Sequence, residues 1–92
     1  MRYDSGMLFY DGGDDGINRL DIEYPDGTRY GGLRCGACIE ILSGAVGAWL
    51  PVRIEYSSSI PGGWYAIADD DSRYYRRDID GRTARFNRAV YE

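Results

Sequence analysis

The chain has 92 residues, a formal charge of −4, no histidine and two cysteines. At this length it is one domain, 1–92, that buries only about 60–65% of its unfolded surface, so a deep substrate cavity would consume much of the core. Its 43% apolar content argues for a folded domain, and no apolar run approaches the roughly 18 residues of a membrane span.

The N-terminus, M-R-Y-D-S-G-M, lacks the basic and apolar regions of a secretion signal, so a cytoplasmic location is expected. Residues 7–10 (M-L-F-Y) read as a short strand that ends in a loop of aspartates and glycines over residues 11–16. Residues 19–24 alternate cleanly, with Leu20, Ile22 and Tyr24 on one face and Arg19, Asp21 and Glu23 on the other. Pro25-Asp26-Gly27-Thr28 is a turn in which Pro presets φ and Gly supplies a positive one. Gly31-Gly32 marks a further bend or a close backbone approach.

Cys38–Leu42 and Trp49–Tyr56 should pair as an antiparallel hairpin. Setting Leu42 opposite Trp49 puts Ile41 beside Leu50 and Ile39 beside Val52, all facing inward with Ile54. Glu40, Trp49, Pro51 and Arg53 then share the other face, and a one-residue slip would mix the two sets. Pro51 cannot donate to a ladder, which predicts an edge or a bulge there. Trp64–Ala68 is the next strand, Asp69-Asp70-Asp71-Ser72 a loop, and Thr83–Phe86 a closing strand. Only residues 82–90 offer a helical period, for one or two turns. Six short strands without room for two full sheets predict an all-β fold, a strongly bent antiparallel sheet of SH3-like barrel type.

At this point the residues resemble a known family. Leu33, Cys35-Gly36, Cys38 and Glu40, then Trp49, Pro51 and Arg53-Ile54-Glu55, then Trp64-Tyr65, are similar to a small uncharacterised bacterial family, domain-of-unknown-function family 5348. The resemblance spans about residues 6–86 and leaves 87–92 as a tail. It departs at Arg34, where the family pattern has His, at Ala37, where it has an acid, and in a loop before Trp49 about two residues longer. The resemblance implies an origin on phages, plasmids or other mobile elements and assigns no activity. If the family uses that His with the cysteines, this chain has lost the capacity.

Cys35 and Cys38 form a C-x-x-C. Structural zinc wants four Cys or His ligands, and the thioredoxin mechanism wants a helix after the motif where a strand is predicted. Structural thiols are the favoured reading, with a redox pair or a metal shared between two chains as alternatives. No zinc bound by a single chain and no other cofactor are expected. The aspartate runs lack calcium-loop spacing, and no carboxylate pair stands out for acid–base chemistry, so no enzyme activity is expected.

Charge is unevenly distributed: residues 1–71 carry −7 and residues 72–92 carry +3. The expected function is therefore a non-catalytic binding module of a mobile element. An acidic body would dock on a host or phage protein with a basic surface, as an anti-CRISPR or antirestriction inhibitor of a nucleic-acid-handling complex does. The candidate acidic contacts are Asp11, Asp14, Asp15, Asp69, Asp70 and Asp71, and Trp49 with Arg53 forms a candidate patch on the outer face. The alternative is nucleic-acid binding through Arg73, Arg76, Arg77, Arg82, Arg85 and Arg88, with Tyr74 and Tyr75 stacking on bases. A third reading is a structural module of a larger assembly.

Overall fold

The computed structural model describes residues 5–11, 19–43, 47–60 and 62–87. These hold seven strands: β1 (Gly6–Asp11), β2 (Arg19–Glu23), β3 (Cys38–Leu42), β4 (Trp49–Tyr56), β5 (Trp64–Ala68), β6 (Arg73–Tyr74) and β7 (Thr83–Phe86). One helical turn, α1 (Arg76–Ile79), lies between β6 and β7. The strands make one antiparallel sheet in the order β2-β1-β7-β3-β4-β5-β6. The domain is all-β, as the alternation predicts. The sheet stays open, because β2 and β6 end the order instead of pairing with each other to close a barrel.

The β3–β4 hairpin adopts the register that its apolar pattern selects: Ile39 opposite Val52, Ile41 opposite Leu50 and Leu42 opposite Trp49. Ile39, Ile41, Val52 and Ile54 are buried, and half-buried Leu50 packs against the same core. Each such burial is worth about 1.5–3 kcal/mol. Leu8, Leu20 and Ile22 from β1 and β2 join that cluster, although β1 and β4 are separated by two strands in the sheet. The sheet must therefore curl, with both halves facing one core. Pro51 pairs with Glu40, while the β4–β5 pairing starts only at Val52. The proline thus sits in an interior strand at a point where β5 has already ended.

Two elements escape the alternation argument. β6 has two residues, too few to show a period. α1 is a single turn in which the Asp78 carboxylate accepts the Tyr75 N–H at 2.9 Å. The helical period at residues 82–90 is not realised in its described part, because Thr83–Phe86 pairs with both β1 and β3. Pairing there sends Ala84 into the core and packs Phe86 against it, which outweighs a weak helical preference.

The two ends of the sheet differ. The return segment after β2 covers that strand: Tyr30 N–H donates to the Ile22 carbonyl at 2.9 Å, and Leu33 N–H to that of Leu20 at 2.7 Å. At the other end β6 is short, which limits unwanted edge pairing. No helix among the described residues is long and apolar enough to cross a membrane.

Candidate functional site

Alternation puts the apolar half of each central strand inward, so the opposite half forms an outer face whose side chains are half-buried or exposed. Trp49, Pro51, Arg53 and Glu55 come from β4, Cys38 and Glu40 from β3, Tyr65 and Ile67 from β5, Arg73 from β6 and Arg85 from β7. The β3–β7 register sets Glu40 opposite Arg85. Arg85 Nε donates to Glu40 Oε1 at 3.0 Å, and its guanidinium lies 3.9 Å from the centroid of the half-buried Trp49 ring. Arg53 is exposed and bonds Glu55 at 3.2 Å. Trp49 and Arg53 share this face as expected, but four residues of strand put them about 13 Å apart. The cation beside the indole is Arg85 instead. The hairpin register alone could not show this, because the pairing of β7 with β3 spans half the chain.

At the β6 end, the Arg73 guanidinium lies 5.7 Å from the Tyr65 ring centroid, and the Tyr65 and Tyr75 rings are 6.3 Å apart. The outer face is therefore aromatic and close to neutral: Arg85 and Arg53 are each matched by a glutamate, and Arg73 adds one positive charge.

The acidic candidates are distributed differently. Asp14 and Asp15 lie outside the described residues. Asp11 ends β1, half-buried, with Arg29 Nη1 at 3.9 Å. Asp69, Asp70 and Asp71 are exposed in the β5–β6 turn, where the Asp70 carboxylate accepts the Ser72 N–H at 3.0 Å. Hydrogen bonds from the Ser72 side chain and then its backbone N–H hold the Asp70 carboxyl below its ordinary value of 3.8. Thr28 does the same for Asp26, again with the side chain as the larger cause. Asp21, buried at 3% exposure, accepts the Gly31 N–H at 3.0 Å, and Asp80 accepts the Tyr10 N–H at 3.0 Å. Several aspartates thus shape turns and junctions, work that the charge count could not separate from partner binding.

The arginine-rich segment divides among several places. Arg73 and Arg85 lie on the outer face, Tyr74 packs against the core, Tyr75, Arg76 and Arg77 gather around α1, Arg82 is exposed before β7, and Arg88 lies outside the described residues. It is not one continuous basic stripe. The sequence reading missed Tyr10: its ring carries the Arg76 guanidinium at 4.3 Å, and its hydroxyl donates to the Gly62 carbonyl. No local motif announces that role, since the three residues meet only through the sheet.

Cys35 and Cys38 are not joined in a disulfide, the first exposed and the second half-buried with its Sγ 3.5 Å from the Gly36 carbonyl. Cys35 lies within, and Cys38 just after, a turn closed by Ala37 N–H to the Arg34 carbonyl at 3.1 Å. Among the described residues no three side chains of His, Cys, Asp or Glu gather where they could hold a metal ion.

The motif residues carried by β3, β4 and β5 coincide with the family's central pattern, and a family model described as a domain of unknown function, DUF5348, matches residues 6–86. The chain belongs to that family. A solved crystal structure of a protein from Ruminococcus gnavus, a structural-genomics target, is 35% identical. The match covers 89% of this chain and 99% of that one, with a TM-score of 0.63. No curated protein matches the chain. The family and this neighbour support the fold and bring no activity with them.

Proposed function

We propose that the domain is a non-catalytic protein-binding module that docks through the outer face of its sheet, centred on Trp49. The observation that carries this reading is the Trp49–Arg85–Glu40 cluster: a half-buried indole and a partly exposed guanidinium oriented by a carboxylate 3.0 Å away. Tryptophan and arginine are the side chains most enriched among residues that dominate binding energy, and a pre-oriented arginine loses less entropy on docking. The near-neutral face suits a protein partner better than a phosphate backbone, because Arg53 and Arg85 already have carboxylates to satisfy. The narrower proposal, an inhibitor of a host nucleic-acid-handling or defence complex carried by a mobile element, draws on the net charge of −4 and the exposed aspartates of the β5–β6 turn.

Affinity capture from host extract with the wild-type chain, Trp49→Ala and a combined Asp69→Asn/Asp71→Asn variant tests the reading. One partner should be retained in stoichiometric amount by the wild type and the aspartate variant and lost with Trp49→Ala. Capture that survives Trp49→Ala and disappears with the aspartate changes would move the interface to the acidic turn. A gel shift with the same variants separates both from direct nucleic-acid binding.

A further inference from the structure

We infer that the pocket between the β4–β5 loop and α1 is a docking site for an acidic peptide segment, held through Arg76 and Arg77. This rests on the protein-binding reading above and names the chemistry of one contact. The pocket is open, about 770 Å³ in volume, and lined by Ile60, Gly62, Tyr75, Arg76, Arg77 and Asp80.

Its walls are tied to one residue. Tyr10 donates its hydroxyl proton to the Gly62 carbonyl, donates its backbone N–H to Asp80 Oδ1 at 3.0 Å, and carries the Arg76 guanidinium 4.3 Å from its ring centroid. Gly62 has φ +82°, a backbone conformation that favours glycine, and its lack of a Cβ leaves room for the Tyr10 hydroxyl. A loop, a strand and a helical turn are thereby fixed around one side chain. A ligand meets a pocket already formed and loses little free energy to ordering it.

The charges decide the ligand. Stacking on Tyr10 restrains the Arg76 guanidinium, whose planar fork matches a carboxylate. Arg77 is exposed and makes no ion pair or hydrogen bond among the described residues. The two carboxylates of this turn, Asp78 and Asp80, already accept the backbone N–H groups of Tyr75 and Tyr10 and form no ion pair with Arg76 or Arg77 among the described residues. Both guanidiniums thus stay available to a ligand, and Ile60 and Tyr75 add an apolar wall. The complement is a carboxylate next to an apolar side chain. Nucleic acid fits less well: the arginines of residues 73–85 are divided between the outer face, this pocket and the start of β7, so no continuous basic track follows a run of phosphates. Tyr75 also connects the pocket to the outer face, 6.3 Å from Tyr65, so a partner segment in the pocket continues onto the proposed interface.

The test titrates the isotope-labelled full chain with an acetylated peptide alternating Asp or Glu with Leu or Phe, following backbone amides by NMR. Controls are the same peptide with Asn and Gln for the acids, and an oligothymidylate. The acidic peptide should shift the amides of Gly62, Tyr75 and Arg77, bind about tenfold or more tightly than the neutral peptide, and weaken as salt rises. Arg77→Glu should abolish these shifts and leave the rest of the spectrum in place, because the exposed Arg77 side chain makes no hydrogen bond or ion pair among the described residues. No shifts, equal binding of the neutral peptide, insensitivity to Arg77→Glu, or tighter oligothymidylate binding at the same amides would each overturn the inference. If the peptide fails while capture still depends on Trp49, the inference alone falls. If Trp49→Ala captures its partner normally while the peptide binds here, the interface reading falls and the pocket stands.

Discussion

The guanidinium of Arg85 lies over the indole of Trp49, 3.9 Å from the ring centroid, and Glu40 fixes it there through a 3.0 Å hydrogen bond to Nε. A double-mutant cycle on Trp49→Leu and Arg85→Met, read by urea unfolding, should return a coupling of about 0.5–1 kcal/mol, the usual size of a partly exposed cation–π contact. Arg85→Met should also cost more than Trp49→Leu, because it leaves the Glu40 carboxylate without its partner. Zero coupling would mean that the stacked arrangement is not the populated one.

Gly6, the first residue of β1, lies close against the end of β2. A Cβ at this position would meet the backbone carbonyl of Glu23 and the Ile22 side chain. A backbone atom in a ladder cannot swing aside as the tip of a flexible side chain can. Gly6→Ala should therefore destabilise by about 1–3 kcal/mol in denaturant unfolding, an overpacking cost. Wild-type stability for this variant would show that the two strands are looser at this end.

Asp21 is buried on β2, and its carboxylate accepts the Gly31 N–H, tying down the segment that covers the edge of the sheet. Asp21→Ala strands that donor and should cost about 1–3 kcal/mol. Asp21→Asn keeps one acceptor oxygen and should cost less. Hydrogen exchange at Gly31 gives a second readout, expected to accelerate in the alanine variant before global unfolding. Unchanged exchange would show that the carboxylate does not hold this segment.

The β3–β4 hairpin was legible in the sequence because two strands of alternating residues, Ile39 and Ile41 against Leu50, Val52 and Ile54, admit one register that keeps them all inward. β6 and α1 were not legible, since two residues carry no period and the turn of helix depends on Asp78 reaching back to Tyr75. Tracing the site failed where residues distant in sequence meet. Arg85 reaches Trp49 and Glu40, and Arg76 reaches Tyr10, only after β7 and β1 take their places in the sheet. The aspartates show the converse problem: a negative charge that shapes a turn, as Asp70 does, reads in a sequence like one that binds a partner.

Asp70 also sets a pH test. Hydrogen bonds from the Ser72 side chain, and then from its backbone N–H, favour the carboxylate and hold it below its ordinary value of 3.8. A carboxyl depressed in the folded state contributes stability that is fully present above its unfolded value and is lost as pH falls through the folded one. Asp26, depressed by Thr28, adds to the same acid limb. Unfolding followed from neutral pH down to about pH 2, at physiological salt, should show stability falling below about pH 4. Asp70→Asn keeps an oxygen to accept the Ser72 N–H but removes the charge, so it should be less stable than wild type near neutrality. That gap should close as acid protonates the wild-type carboxyl, and the two acid limbs should converge. A gap that stayed constant or widened toward low pH would show that the turn does not prefer the ionised form.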